Sequence, residues 1–338
     1  MQSLHDARHI AEIENPENRE VEREFTELPS EESKDSEQAH KNPSQPPHPY
    51  RPRKNKCMRV AWISDSHPEM YRVPARVIAA DIIAFIGDNG TTPAEVRNII
   101  LAWREKNPSL TFIVVLGNHE AHGRVWQEFV QEYRTALADL RDVHFLEDES
   151  REIGGYTFIG STLWTDLNPI AAIAVQKILE DYRPTGIRSR TATGELVAVT
   201  PEEVGVRHRK SLRFIENTLQ WARIPSKVII LTHHTPSHQS WTAQNGPLSD
   251  RLQEAYCSDL EGLIEKYAPL VWAHGHVHSS QNYMIDKTLI VCNPQGYTHL
   301  RDGIEEYENS DFDPQGAVID LDVLRARRVA SRTSKLRI

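Results

Sequence analysis

The chain has 338 residues, a formal net charge of −9 and three widely spaced cysteines, Cys57, Cys257 and Cys292. This length allows one large α/β domain or two smaller ones, while the acidic balance argues against a protein that coats nucleic acid or an anionic membrane. The sparse cysteines argue against a disulfide scaffold, and the lack of a signal peptide or a bilayer-length apolar run predicts a soluble cytoplasmic protein.

Residues 1–56 have the composition of a disordered tail. Acidic residues dominate as far as Glu37, and the following segment is rich in proline and ends in basic residues. Branched and aromatic residues are too scarce there to form a core. We therefore predict a disordered tail at 1–56 and a folded domain at 57–338. A solvated tail is the simpler interpretation, and a partner-binding or tethering arm is the alternative.

Seven short apolar runs after the tail predict buried β-strands, because they are rich in valine, isoleucine and aromatic residues. The runs are 58–64, 81–87, 110–117, 156–160, 227–232, 270–275 and 288–293. Helical patterns separate several of them, at 92–106, 124–140, 200–222 and 258–268. This alternation predicts a layered α/β domain.

Two of the predicted helices begin with the same signal. Thr92 and Thr200 are each followed by a proline and stand three residues before a glutamate, which is typical of an N-cap. For the last helix, Ser258 or Asp259 is the expected cap. The segments 181–200 and 232–250 contain glycine, proline and polar residues, and we expect long loops there.

Five of the apolar runs end in residues that can bind metal ions. Because the carboxyl ends of the strands line the ligand crevice in open α/β sheets, we expect these residues to converge. Imidazole, carboxylate and amide groups together suit Zn²⁺, Mn²⁺ or Fe ions. The residues are Asp65, His67, Asp88, Asn118, His119, His233, His234, His276 and His278.

Each of these segments also has a structural interpretation when it is taken alone. The segment 65–67 is consistent with a turn, and Gly87-Asp88 is a common turn sequence. Three histidines within residues 274–278 are harder to explain, since every buried imidazole needs hydrogen-bond partners. We expect His274 to be structural and the other two to be ligands.

The order of these motifs resembles that of the calcineurin-like metallophosphoesterases. Here the motifs are D-x-H at 65–67, G-D at 87–88, G-N-H at 117–119, a histidine at 233 and G-H-x-H at 275–278. A group of bacterial and phage phosphoesterases is also similar at GSTLWTD (160–166), THHTPS (232–237), YCSDLEGLI (256–264) and NPQGY (293–297). The resemblance spans about residues 58–320 and implies a four-layer fold, in which two mixed sheets form a central β-sandwich flanked by helices.

The resemblance also implies two metal ions, of manganese, iron or zinc, with Asp88 as the bridging ligand. The first ion would be held by Asp65, His67, Asp88 and His278. The second would be held by Asp88, Asn118, His233 and His276. In the pair of adjacent histidines the family uses the first, so His234 is the alternative ligand or a substrate contact.

The implied reaction is hydrolysis of a phosphate ester by a hydroxide that the two ions share. Two cations roughly 3.5–4 Å apart can lower the pKa of a shared water from about 15.7 toward 7. We expect His119 to donate a proton to the leaving oxygen, and Glu120 to orient His119 or to cap the following helix. The expected substrate contacts are Asn118, His119, His122, His234 and Arg188.

The sequence departs from the family at two places near the site. Ser66 follows the first aspartate and Pro68-Glu69 follows the first histidine, while Ala121-His122-Gly123 stands where near relatives carry an aromatic pair. We expect the metal site to be unaffected, whereas the substrate pocket is open to change.

The substrate class that this reasoning favours is a small, nucleotide-like phosphodiester. A phosphomonoesterase or a nuclease would use the same ligands, although the acidic chain does not favour a nucleic-acid groove. A non-catalytic scaffold with a partner-binding tail is the alternative of another class. A metal-dependent protease is not supported, since no HExxH motif is present. The sequence leaves the oligomeric state open.

Overall fold

A computed structural model describes residues 57–71, 74–241, 247–301 and 303–335, and side chains in these ranges outside 247–251 and 331–335. The predicted disordered tail at 1–56 lies outside the described residues and stays a prediction.

The first sheet has five strands in the order β15-β1-β2-β3-β4. Neighbours from β1 to β4 are parallel, and β15 is antiparallel to β1, so the sheet is mixed. The strands are β1 (Arg59–Ile63), β2 (Ile82–Ile86), β3 (Thr111–Val115), β4 (Val143–Phe145) and β15 (Ile319–Asp320).

The second sheet has six strands in the order β11-β12-β10-β9-β6-β5, with four parallel strands between two antiparallel edges. They are β5 (Glu149–Ile153), β6 (Tyr156–Ser161), β9 (Val228–Thr232), β10 (Val271–His274), β11 (Gln281–Ile285) and β12 (Thr288–Cys292). Two hairpins stand apart from the sheets, β7 (Arg188–Arg190) with β8 (Leu196–Ala198), and β13 (Thr298–Arg301) with β14 (Ile304–Tyr307).

The two sheets pack face to face and share a buried core. Alternate residues of each strand point into it, as the two-residue period of a strand requires. Trp62 and Ile86 of the first sheet belong to the same apolar cluster as Phe158, Leu231 and Ala273 of the second. The predicted central β-sandwich is therefore confirmed.

Helices cover the outer face of each sheet. Phe112 packs in one cluster with Ile100 of α1 and Tyr133 of α2. On the other side, Trp272 packs in one cluster with Ile215 of α4. The helices are α1 (Pro93–Lys106), α2 (Phe129–Leu137), α3 (Pro169–Ile178), α4 (Pro201–Trp221), α5 (Pro247–Tyr256), α6 (Glu261–Tyr267) and α7 (Leu321–Lys335). Within the described ranges, none of these helices combines the length and apolarity needed to cross a bilayer.

All seven predicted strands are present within one or two residues of their expected bounds. Two helix starts are also confirmed, since the Thr92 hydroxyl accepts from the Glu95 amide and Thr200 forms a capping box with Glu203. The expected cap of α6 was wrong: the helix follows Leu260, which makes no side-chain cap. The amides of Ser258 and Leu260 instead donate to carbonyls at 235–236, which keeps this segment extended.

The remaining differences concern the predicted loops and missed elements. The segment 181–200 contains β7 and β8, and the segment 232–250 contains the first turn of α5. Helix α2 is shorter than predicted and begins at Phe129. Short edge strands and hairpins carry too few residues for a periodic signal, so these differences are expected.

The buried carboxylate of Glu147 ties the end of β4 to the turn after β6. Its Oε2 accepts from the amide and the hydroxyl of Thr162, each at 2.8 Å. Burial, together with the adjacent Asp148, raises the pKa of Glu147 to about 7. The folded chain therefore holds this proton more tightly than the unfolded chain, and the resulting stability is lost as the pH rises through 7.

We expect Glu147→Gln to flatten the pH dependence of stability. Between roughly pH 5 and pH 8, the free energy of unfolding of the wild type should fall by up to about 3 kcal/mol. The variant should not show this loss. Urea unfolding of both proteins at the two pH values measures this difference. Glu149→Gln, which alters an exposed ion pair with Arg134, is the control. Equal losses in wild type and Glu147→Gln would contradict the prediction.

Candidate metal centre

Four polar residues in the loops after β1, β2 and β10 have backbones in the left-handed region. The φ angles are 53° at Asp65, 39° at His67, 54° at Asp88 and 68° at His276. Residues with a side chain rarely adopt positive φ, and such strain concentrates at functional sites. The shared conformation therefore marks these loops as a candidate site.

Two glycines of the sequence motifs are required by close packing. A Cβ on Gly117 would lie 2.1 Å from Asp88 Oδ1, and a Cβ on Gly87 would lie 2.2 Å from His233 Nδ1. Neither position has room for a side chain, and Gly87 also has a φ of 82°. The glycines thus allow the loop backbones to pass directly beneath the polar side chains.

One group of potential ligands consists of Asp65, His67 and His278, whose ligand atoms all lie within 4.8 Å of one another. The Nε2 atoms of the two histidines are 3.1 Å apart, and His278 Nε2 lies 3.7 Å from Asp65 Oδ1. Asp65 also accepts from the backbone amide of His276 at 3.0 Å. This contact joins the first motif to the last.

The second group consists of Asp88, His233 and His276, all of them buried. Asp88 Oδ2 lies 3.3 Å from His233 Nε2 and 3.9 Å from His67 Nε2, so this oxygen lies between the two groups. Asn118 Oδ1 lies 3.1 Å from His233 Nε2. The structure therefore brings together all seven side chains that the sequence analysis named as ligands.

Two atoms of the second group are buried without a hydrogen bond to any described residue. They are Asp88 Oδ2 and His276 Nδ1. An unsatisfied buried polar atom costs about 1–3 kcal/mol, and more when it is charged. A carboxylate oxygen and an imidazole nitrogen are suitable metal ligands, so a bound cation would satisfy both. The residues present fit a metal ion.

Three of the imidazoles are oriented by contacts at Nδ1. His67 faces Glu69 Oε1 at 3.0 Å, His278 faces Glu308 Oε2 at 2.6 Å, and His233 faces the carbonyl of Ile86 at 3.0 Å. These acceptors require Nδ1–H as the donor, so the Nε2 lone pairs face the centre. Two such lone pairs 3.1 Å apart repel each other unless a cation or a proton lies between them.

Glu120 has neither of the two roles expected from the sequence. Its buried carboxylate accepts from the backbone amides of Gly117, Asp88 and Asn89, at 2.7, 2.9 and 2.8 Å. Burial and the neighbouring Asp88 raise the pKa of Glu120 to about 8. Glu120 therefore holds the loop after β2 against the loop after β3. This contact fixes the spacing between the proposed ligands on the two loops.

His119 lies beside the centre and is more open than the proposed ligands. Its side chain is 15 % exposed, against 0 % for His67, and its backbone amide donates to Asp88 Oδ1 at 3.0 Å. Burial disfavours the charged ring, but Asp88 and Glu69 outweigh burial and raise the pKa of His119 to about 10. The ring can therefore hold a proton that a substrate can reach.

The other proposed substrate contacts lie farther from the two groups. His122 Nε2 contacts Asp181 Oδ1 at 2.5 Å, and its ring centre is 4.6 Å from that of His119. Arg188 donates to the carbonyl of Gly123 at 2.8 Å and so braces this loop. His122 therefore lies beside His119, whereas the structure shows only a bracing contact for Arg188.

His234 is buried behind the centre rather than directed into it. Its Nδ1 lies 3.1 Å from the carbonyl of Thr162, and its ring packs against Trp164 and His276. Burial and the adjacent His233 lower the pKa of His234 to about 3. This position favours His233 as the ligand of the pair and does not favour a substrate contact for His234.

The sequence analysis missed three carboxylates that orient the site. Glu69 and Glu308 contact histidines, while Asp181 accepts from the Asn118 amide at 3.0 Å. This contact turns Asn118 Oδ1 toward His233. Glu69 was noticed only as a departure from the family pattern, and the other two are distant from any motif. His274 belongs to neither ligand group, and its Nε2 lies 2.9 Å from the Ser240 hydroxyl.

A family model described as calcineurin-like phosphoesterase matches residues 58–280. The chain belongs to this family. The match includes the motifs from Asp65 to His278, whereas the NPQGY segment at 293–297 lies beyond it. The narrower likeness to a bacterial and phage group stays a prediction.

Two individual proteins are similar to this chain. An uncharacterized protein of Acanthamoeba polyphaga mimivirus is 25 % identical over 210 residues, which are 59 % of this chain and 72 % of the viral protein. The crystal structure of phosphopantetheinyl hydrolase from Mycobacterium tuberculosis is similar with a TM-score of 0.55 and 14 % identity, over 71 % of this chain and 90 % of that one. At this identity the structural likeness shows the fold alone.

Proposed function

We propose that this calcineurin-like phosphoesterase hydrolyses phosphate esters with two metal ions bridged by Asp88. The observation that carries the proposal is the position of Asp88 Oδ2, which is buried between two groups of ligands and has no hydrogen bond within the described chain. A single structural carboxylate would have no reason to remain unsatisfied there.

Seven side chains form the proposed ligand set. Asp65, His67, Asp88 and His278 would hold one ion. Asp88, Asn118, His233 and His276 would hold the other. When bound, the two ions would activate a water molecule and neutralise charge on the phosphate, and manganese, iron and zinc all suit these ligands.

The chain's own contribution to the reaction is orientation and proton transfer. Glu120 holds the loops of Asp88 and Asn118 together through three backbone amides. His119 carries a proton beside the centre and would donate it to the leaving oxygen. His122, next to its ring, is proposed to contact the substrate.

Asp181→Ala should weaken metal retention, because Asn118 loses the acceptor that turns its oxygen toward His233. Loss of such an orienting partner typically reduces metal affinity about 10–100-fold. Dialysis against defined zinc buffers followed by elemental analysis measures the effect. Asp166→Ala, which removes an exposed carboxylate paired with Arg209, is the matched control. Equal zinc affinity in the two variants would contradict this role of Asp181.

We propose a small, nucleotide-like phosphodiester as the substrate class. The nuclease alternative would need a basic groove, yet three arginines between residues 183 and 209 each pair with a carboxylate. Arg190 pairs with Glu128, Arg209 pairs with Asp166, and Arg183 pairs with Glu180. Together with the net charge of −9, these pairs reduce the positive charge that this segment offers to a long polyanion.

An assay of the metal-loaded full chain on two chromogenic esters tests the function. We expect a higher kcat/KM on bis-p-nitrophenyl phosphate than on p-nitrophenyl phosphate, and loss of both activities after chelation. The opposite preference would favour a phosphomonoesterase. No hydrolysis by protein that holds two ions would favour the non-catalytic scaffold. A panel of cyclic and linear nucleotides would then define the substrate.

We also propose that the protein acts in the reducing cytoplasm and that residues 57–338 form its catalytic domain. Cys57, Cys257 and Cys292 are free thiols, and the last two are buried, in agreement with reducing conditions. The role of the tail at 1–56 stays a prediction.

A further inference from the structure

One carboxylate joins the first ligand group to the residue proposed as proton donor. Glu69 Oε1 lies 3.0 Å from His67 Nδ1 and also 3.0 Å from His119 Nδ1. Glu69 follows His67 by two positions, so the loop that carries the ligand also carries the shared acceptor. The two histidines are 52 residues apart, and their ring centres are 4.5 Å apart.

The shared acceptor determines the tautomer of both rings. An ionised carboxylate only accepts hydrogen bonds, so each Nδ1 must carry the hydrogen. Nε2 of His67 then faces the ligand group, and Nε2 of His119 lies on the opposite edge of its ring.

Neighbouring carboxylates do not replace Glu69 in this contact. Asp88 accepts from the backbone amide of His119, while Asp181 accepts from His122 and Asn118. Among the contacts that the structure describes, Glu69 provides the carboxylate bound to the His119 ring. The rings of His67 and His122 flank His119 on either side, with centres 4.5 and 4.6 Å away.

We propose that Glu69 is a positioning residue that orients the proton donor His119 and the ligand His67 through one oxygen atom. The loop that carries Glu69 therefore fixes the positions of both the ligand and the proton donor. The inference rests on the proposed function, because it assigns a task in the proposed reaction. Glu69 itself acts through His119 and transfers no proton to the substrate.

A leaving-group comparison in zinc-loaded protein tests this role. Proton donation matters most for a basic leaving group, and such catalysis contributes about 10²–10⁴-fold. Glu69→Ala should lower kcat at least about tenfold on the diester methyl phenyl phosphate and clearly less on the diester methyl p-nitrophenyl phosphate. Glu69→Gln retains an acceptor oxygen and should recover part of the loss. Glu149→Gln, at an exposed pair with Arg134, should behave as the wild type.

The double variant separates positioning from a general loss of structure. If Glu69 acts through His119, then adding Glu69→Ala to His119→Ala should change kcat on methyl phenyl phosphate by less than about twofold. Losses that multiply in the double variant would overturn the inference. Elemental analysis at saturating zinc must show the same zinc content in all variants, and a zinc deficit confined to Glu69→Ala would assign the effect to His67 alone.

A spectroscopic readout is independent of activity. In long-range ¹H–¹⁵N spectra, the His119 signals are identified by their loss in His119→Ala. The His119 Nδ1–H should give a downfield, hydrogen-bonded proton signal in the wild type, and this signal should be lost in Glu69→Ala. An unchanged Nδ1–H signal would overturn the inference. If the wild type hydrolysed neither ester while holding two zinc ions, the proposed function would fail, and the Nδ1–H signal would still decide whether Glu69 positions His119.

Discussion

Asp88→Asn should lose at least one of the two metal ions and nearly all hydrolytic activity. Asp88 Oδ2 is the atom that lies between the two ligand groups, 3.3 Å from His233 Nε2 and 3.9 Å from His67 Nε2. An amide has no negative charge to share between two cations, so metal affinity should fall at least about 100-fold and kcat/KM by about 10³-fold.

The metal-free form of this variant distinguishes a lost ligand from a lost fold. Burial disfavours the charged form of Asp88, but His233 and His119 outweigh burial and hold the pKa of Asp88 well below its usual range. The charge therefore stabilises the metal-free fold, so metal-free Asp88→Asn should unfold cooperatively at a lower Tm than the wild type. Elemental analysis and thermal unfolding, with exposed Asp139→Asn as the control, measure the two effects. Full occupancy by both metals in Asp88→Asn would contradict the bridging assignment.

His119→Ala should reduce turnover while the protein keeps its metal. The ring is held beside the centre by Glu69, yet none of its atoms belongs to the proposed ligand set. Loss of a general acid typically costs about 10²–10⁴-fold in rate, so kcat should fall in this range with little change in KM. The protonated state of the ring agrees with this role, because Asp88 and Glu69 raise its pKa to about 10 despite burial.

Steady-state kinetics and elemental analysis of the same preparation check this prediction. His144→Ala is a suitable control, because His144 lies in β4, outside the two ligand groups. Unchanged turnover in His119→Ala would remove the assigned role. Loss of metal in this variant would indicate that His119 supports the ligands instead of donating a proton.

The strands and the places where they end could be predicted from the sequence, because both signals are local. A strand that is covered on both faces needs a continuous apolar run, and the run stops where the chain reaches the loop. Asp88 follows β2, Asn118 follows β3 and His233 follows β9 within two or three residues. Parallel strands place such loops at one edge of the sheet, so the convergence of these side chains could be predicted.

The orienting carboxylates could not be predicted, because their contacts join distant parts of the chain. Glu308 is 30 residues from His278, and Asp181 is 63 residues from Asn118. Glu120 was visible next to His119, but its three backbone partners depend on how two loops pack. No spacing rule relates such pairs, since their distance is decided by the packing of separate elements.

By itself, the sequence determined the layered α/β class, the seven central strands and the chemical identity of the proposed ligands. These depend on periodicity and residue type, which are properties of short segments. The tertiary structure decided which nitrogen of each histidine faces the centre, that Asp88 Oδ2 lies between the two groups, and that Glu69 links His67 to His119. Hydrogen-bond direction and burial arise only when segments meet, so a linear pattern cannot contain them.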